Sequence, residues 1–383
     1  MATATLAGCS MTMTLQRFPH PAAPPEPTAH ATPDASDATP PQAVDEAPKP
    51  PTINVFGEFN GKPGGPLKQA TAPTYRRHTF GDTGGEADVS LDPTGQWMVY
   101  SSTRDGEHAA IYLQRTDSPS VTQMTNGVAD DTQPVFSPDG KRIAFSSNRT
   151  GKWHLFVMDV DGRKLIQLTD GASQDLHPSF SPDSQKLVYC TRSDNGGSWE
   201  LWTLDLQDKA RRMIGPGLFP SWSPEKGSDR IAFQKTRARG SRWFSLWTLD
   251  LVDGEARRVT EVAVSANAAL VTPAWSPDGQ AMVFATIVEP AVTHAGKPTG
   301  QEDVWMVNAD GTDRHRLTDG AGANLNPCWG VDNRVYFISD RGGHESIWSV
   351  STGWNAATHE MTQDAQANRP QQVGATDSHN LAQ

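Results

Sequence analysis

Along most of the chain the apolar positions fall in short runs of strand length, not at helical spacing. The stretch 136–171, FSPDGKRIAFSSNRTGKWHLFVMDVDGRKLIQLTDG, holds the runs RIAFSS, HLFVMD and LIQLT, divided by turn residues. Ser-Pro-Asp-Gly reads as a tight turn, because Pro fixes φ at its first central position and Gly accepts φ > 0. Asp161-Gly162 reads as a hairpin turn between two strands. The unit is thus a short strand A ending at Phe136, then an alternating strand B, a strand C and a strand D.

The unit recurs. Its turn appears as LDPTG, FSPDG, FSPDS, WSPEK, WSPDG and a worn WGVDN, marked by Pro93, Pro138, Pro182, Pro224, Pro277 and Val331 at spacings of 45, 44, 42, 53 and 54. An aliphatic–aromatic pair keeps the same phase in strand C: Ile111-Tyr112, Leu155-Phe156, Leu201-Trp202, Leu246-Trp247, Val304-Trp305 and Ile347-Trp348. A period of roughly 40–50 residues with four strands per unit predicts a propeller. The expected fold is therefore all-β, with six four-stranded antiparallel blades over 75–365 whose repeated aromatics fill the gaps between neighbouring sheets. Two segments resemble the strand D that must close blade 6, TYRRHTF (74–80) and THEMTQD (358–364), and the pattern leaves the choice open.

Outside the repeats, residues 10–74 form a Pro/Ala-rich segment with few large apolar side chains, expected to be an extended arm. Residues 366–383 are a C-terminal tail. The formal net charge of −11 offers no basic stripe for phosphates, so nucleic acid is not an expected partner. No apolar run reaches the ~18 residues that a spanning helix needs. Three cysteines, Cys9, Cys190 and Cys328, make no disulfide framework. Cys190 and Cys328 sit in apolar runs and are expected as small buried hydrophobes.

The six FSPDG-type repeats, the SNRTG segment and the DVDG–LTDG ending resemble the TolB-like propeller family over about residues 75–365. In TolB an α/β domain precedes the propeller, and here the Pro-rich arm holds that place. The resemblance implies a periplasmic, non-catalytic, protein-binding propeller in a bacterium, with no cofactor. Leu6-Ala7-Gly8-Cys9 resembles a lipoprotein signal, with Cys9 as the lipidated residue and 1–9 as its remnant. The apolar stretch upstream is short, so this reading puts the start of translation before Met1. Prolyl oligopeptidases share related blades but carry a hydrolase domain, and no G-x-S-x-G elbow occurs here.

In such a ring the D–A and B–C connections share one face, around the mouth of the central channel. The residue before each strand-A Pro is expected to point there: Gln133, His177, Phe219, Thr272 and Asn326, with Asp88 at the matching place in blade 1. The B–C loops add Arg104, Arg149, Arg192, Arg237, Arg239, Arg242 and Arg341. These arginines either bind a carboxylate-bearing partner bidentately or bridge to the neighbouring blade and stiffen the ring. His177 reads as a metal ligand or base, or as a polar channel residue bonded to backbone or water. Lyases on related propellers hold a metal with several His, and the equivalent places here are Gln, Phe, Thr and Asn, so no metal is expected.

The functional expectation is a scaffold of the cell envelope, membrane-tethered by Cys9 and the arm, engaging a protein through its loop face. The partner would be a peptide in the channel mouth or a membrane complex of which this chain is an accessory subunit. Two other readings stay open. One is a lyase or hydrolase in the channel mouth. The other is a carbohydrate-binding propeller, for which Phe219 and Trp243 are the exposed aromatic candidates. The longer loops 236–243 and 287–301, on the same face, are further places for specific contacts.

Overall fold

The computed structural model describes residues 73–355, apart from 82, 194–196, 237–243, 266–267 and 289–301, together with strand segments at 3–5, 12–14 and 360–361. Thr3–Thr5 pairs antiparallel with Thr12–Thr14 in a unit of its own, Met1–Ile53.

The second unit contains six four-stranded antiparallel sheets, each in the order A-B-C-D. Blade 1 is Glu86–Leu91, Trp97–Ser102, Ala110–Arg115 and Val121–Gln123; blade 2 is Asp131–Phe136, Arg142–Ser147, His154–Asp159 and Ile166–Gln167. Blade 3 is Gln174–Phe180, Lys186–Arg192, Glu200–Asp205 and Arg211–Pro216; blade 4 is Leu218–Trp222, Arg230–Thr236, Phe244–Val252 and Glu255–Ala263. Blade 5 is Ala268–Trp275, Ala281–Val288, Glu302–Asn308 and His315–Arg316; blade 6 is Asn324–Trp329, Arg334–Ser339, Ser346–Ser351 and, as strand D, Tyr75–Arg77. Each strand A contacts the next, and that of blade 6 contacts that of blade 1, so the A strands line a closed ring.

The turn chemistry behaves as its residues dictate. The Ser137 hydroxyl donates to Asp139 at 2.5 Å and accepts the Arg142 N–H at 2.9 Å. The last turn residue is left-handed in five blades, at Gly95, Gly140 and Gly279, with Ser184 and Asn333 where glycine is missing; in blade 4 the left-handed residue is Gly227, one beyond WSPEK. Strand B departs from the expected alternation. Five of its six residues are buried in both Trp97–Ser102 and Arg142–Ser147. The reason is that a blade is covered on both faces, so inner strands bury both sets of side chains.

Those side chains form the core between sheets. Val99 and Ile111 of blade 1 meet Phe136, Ile143, Phe145, Phe156 and Met158 of blade 2. Equivalent clusters lie between blades 2 and 3, 5 and 6, and 6 and 1. Cys190 is buried and Cys328 half-buried, both free thiols. Burial pushes Cys190 up to about 12 and Cys328 up to about 11, so neither is a thiolate at neutral pH.

The N-terminal segment, not the C-terminal one, closes the ring: Tyr75, Arg76 and Arg77 pair with Val350, Ser349 and Trp348. His78 N–H donates to Ile347 O at 2.8 Å, Ile347 N–H donates to the Thr79 hydroxyl at 2.9 Å, and Arg77 reaches the Ser346 hydroxyl at 2.9 Å. Glu360–Met361, from the rival segment, pairs instead with Trp354–Asn355.

Candidate binding site at the channel throat

Strand A of every blade carries a β-bulge at one position. The ladder shifts between Ala87 and Ser90, Thr132 and Val135, Leu176 and Ser179, Leu218 and Ser221, Val271 and Ala274, and Leu325 and Cys328. In five of the six the bulge holds a Pro, which has no N–H to give the ladder. The residue before it is left-handed in all six: Asp88 (φ 53°), Gln133 (56°), His177 (55°), Phe219 (47°), Thr272 (49°) and Asn326 (49°). Asn and Asp tolerate this region; for Phe and the β-branched Thr it costs about 1–3 kcal/mol each. The bulge thereby sets the expected channel residues at six equivalent places on the inner strands.

Four of them are joined in an arc. Asn326 Nδ2 donates to Asp88 Oδ1 at 3.0 Å, and the Gln133 N–H and Ser101 hydroxyl both donate to Asp88 Oδ2, at 3.3 and 3.2 Å. The Gln133 Oε1 accepts from the His177 N–H and from the Ser146 hydroxyl, each at 2.9 Å. Two donors on that oxygen fix the amide's orientation, so its NH₂ faces the imidazole, 3.1 Å from His177 Nε2. His177 Nε2 must therefore accept, which places its proton on Nδ1. Burial depresses His177 to about 3, consistent with a neutral ring. The lone pair that a metal ligand or base would use is engaged by Gln133.

Burial raises Asp88, against the hydrogen bonds from Gln133 and Ser101 that favour its charged form. The arc ends at Phe219, whose ring lies edge-on to His177 with centroids 4.3 Å apart. Thr272 completes the ring with a buried hydroxyl that has no hydrogen-bond partner among the described residues. One backbone geometry, repeated six times, thus presents an acid, two amides, a neutral imidazole, a phenyl and a hydroxyl.

The loop arginines lie outside this ring. Arg104 pairs with Glu86 at 2.6 Å and lies over Tyr100 and Tyr112. Arg149 donates to both oxygens of Asp131, at 2.8 and 2.9 Å, and covers Phe156. Arg341 lies 3.6 Å over Tyr75, donates to Asn324 at 2.9 Å and meets Asp319 at 3.3 Å. Arg104 and Arg149 each latch their own blade, not the neighbouring one. Arg341 fastens the closing strand to blade 6. Blade 3 differs: its equivalent acid, Asp175, is taken by the Thr191 hydroxyl at 2.6 Å and faces His154, while Arg192 stands opposite Gln174. Arg237, Arg239, Arg242, Trp243, Cys9 and nearly all of the 287–301 insert lie outside the described residues. Among the described residues no group of three or more His, Cys, Asp or Glu is placed to hold a metal ion, and no helix is long and apolar enough to cross a membrane.

Comparison with known proteins agrees with this architecture. A protein of Agrobacterium fabrum without an assigned role is 37% identical over 70 residues, 18% of this chain and 24% of that one. The chain therefore spans only about a quarter of that relative. TolB from Acinetobacter baumannii superimposes with a TM-score of 0.52 at 20% identity, covering 64% of this chain and 57% of that one. Oligogalacturonate lyase from Vibrio parahaemolyticus gives 0.51 at 13% identity, covering 76% of this chain and 99% of that one. Likeness at this level is one of fold. The model of the TolB beta propeller domain matches residues 73–228 and 214–381, which span the six blades and the closing strand; the chain belongs to that family.

Proposed function

We propose that this protein is a non-catalytic, protein-binding scaffold of the bacterial cell envelope, facing the periplasm and engaging its partner through the channel mouth. The observation that carries the reading is the throat itself. Six equivalent positions bear six different arrangements of polar and apolar groups, and the titratable ones are engaged with their neighbours. Asp88 and His177 both bind Gln133, which suits a fixed recognition surface better than a reaction centre that must exchange protons. The family's TolB members support protein interaction in general. The lyase likeness is one of fold, and the throat here offers a single imidazole.

Within this reading, lipidated Cys9 and the arm tether the propeller to a membrane, and the partner is a membrane complex with this chain as an accessory subunit. Arg104, Arg149 and Arg341 are latched within the ring, and the cationic element assigned to partner contact is the 236–243 loop, with Arg237, Arg239 and Arg242. Gentle detergent extraction of native membranes, sizing and mass spectrometry provide the test. Co-migration with a stoichiometric complex is expected, with capture weakened about tenfold or more by the triple Arg→Glu variant at those positions. A chain that runs alone, with Cys9 unmodified, defeats the envelope-scaffold reading; unchanged capture by the variant moves the interface off this loop.

A further inference from the structure

Blade 4 breaks the pattern of its siblings on its outer side. Its strands C and D run nine residues each, Phe244–Val252 and Glu255–Ala263, where the D strands of blades 2 and 5 have two. The long D strand does not pair evenly. Its ladder shifts between Thr248 and Asp250, and Arg258, in the shifted stretch, is left-handed at φ 46°. A bulge with a strained non-glycine residue re-aims a side chain and persists where the surroundings enforce it.

Beside that bulge a cavity of about 420 Å³ opens between blades 4 and 5, within the range of small-ligand sites. Gly311 makes the junction possible: at φ 85° it packs so near the Val262 carbonyl that a Cβ would lie 2.6 Å from the oxygen. Asp250 stands between Arg230, 3.1 Å away, and Arg258, 3.5 Å away. Thr260 lines the same wall, Asn308 faces it from blade 5, and Trp354 reaches in from beyond blade 6. The Asn308 Oδ1 is buried with no hydrogen-bond partner among the described residues and its NH₂ donates to Thr312 at 3.0 Å, so this amide stands behind the cavity wall. The Trp354 indole is held by Asp278 at 3.1 Å and packed against Trp329.

The charges of the lining cancel: two arginines against Asp250 and Asp310. An anion would demand a surplus of positive charge, and a cation the reverse. What the cavity offers is a mixture of donors and acceptors, from Arg230, Arg258, Asp250 and Thr260, beside an indole edge. Groups that both donate and accept, on an apolar ring, meet that set. We propose that the cavity between blades 4 and 5 binds a neutral saccharide unit, with Arg258, Asp250 and Thr260 engaging its hydroxyls and Trp354 bordering its ring. This site is separate from the throat and does not depend on the reading given for it.

Ligand-observed NMR with the full chain provides the test, using glucose, galactose and N-acetylglucosamine with their β-linked trimers, and galacturonate and inorganic phosphate as anionic probes. Saturation transfer to at least one neutral sugar is expected, stronger for its trimer. Arg258→Gly should weaken that binding about tenfold or more while leaving the thermal midpoint no lower, because glycine relieves the left-handed strain. Thr260→Val, on an exposed strand, should weaken it less. The proposal is overturned if no neutral sugar of the panel binds, if Arg258→Gly leaves binding unchanged, or if phosphate or galacturonate binds in preference.

Discussion

Left-handed residues occur in this molecule both at the throat and at the rim, and the comparison separates strain that serves a site from strain that serves only a turn. At the throat, Gln133 and His177 hold each other through side chain and backbone. At the rim, Lys164 and Lys209 adopt φ values of 50° and 60° in exposed hairpin turns. The backbone cost is similar at both. At the throat the neighbours fix the conformation, and the side chain is consumed in doing so. At the rim Lys164 makes only an exposed ion pair with Asp159 at 3.0 Å, so almost any residue that reverses the chain would suffice.

The largest expected effect comes from removing the hub of the throat. Gln133→Ala takes away the acceptor of the His177 N–H and of the Ser146 hydroxyl, and the donor to His177 Nε2. Leaving such groups unpaired costs about 1–3 kcal/mol each, less where water enters, so a net loss of about 2–4 kcal/mol is expected in denaturant titration. Alanine at Lys164 or Lys209 should fall within about 0.5 kcal/mol of wild type. A throat variant as mild as the rim variants would mean the arc does not constrain the bulges.

Next comes proton binding. His177 is lowered to about 3 by burial, so the folded state resists a proton that the unfolded chain accepts below about 6.5. The stability this represents is complete above about pH 6.5 and is lost progressively as pH falls toward 3. Burial lowers His78 to about 4 in the same direction, with its ring nitrogens near Thr116 O and the Ser349 hydroxyl at the closing seam. Acid should therefore loosen throat and seam together. Gln133→Glu would set a carboxylate beside His177 and raise its pKa by at least about one unit. Imidazole C–H resonances followed by NMR decide the matter: a wild-type His177 titrating near pH 6 would remove the buried, Gln133-bound ring from the account.

The fold was legible because six copies of a turn and six of a strand-C pair carry one register, so no single ambiguous run had to be decided alone. The throat positions were legible for a related reason: Pro134, Pro178, Pro220, Pro273 and Pro327 mark the same place in five strands. Their left-handed backbone was not, because it depends on how strand A slips against strand B. The seam was undecidable from pattern, since TYRRHTF and THEMTQD alternate alike. It is settled by His78 and Thr79 meeting Ile347 from about 270 residues away along the chain. The arginine latches and the cavity beside blade 4 were hidden because their partners are close in space and not in sequence spacing. The Arg258 bulge leaves no trace in the alternation of EARRVTEVA.

The smallest effect is the sharpest test of the rim half of the comparison, because its sign is opposite. Lys209 is exposed, in the turn between strands C and D of blade 3, with φ 60°. Holding a Cβ in that region costs about 1–2 kcal/mol. Glycine removes this cost, but it also frees the unfolded chain, which takes back about 0.4–1 kcal/mol. Lys209→Gly should therefore stabilise the protein by about 0.5–1 kcal/mol, read as a shift in denaturation midpoint at constant slope. The corresponding change at Gln133 would relieve the same backbone and still destabilise, because the side chain there is a partner of three groups. If Lys209→Gly lowers the midpoint, the rim turn is held by something other than local geometry, and the contrast between strain that serves a site and strain that serves only a turn fails.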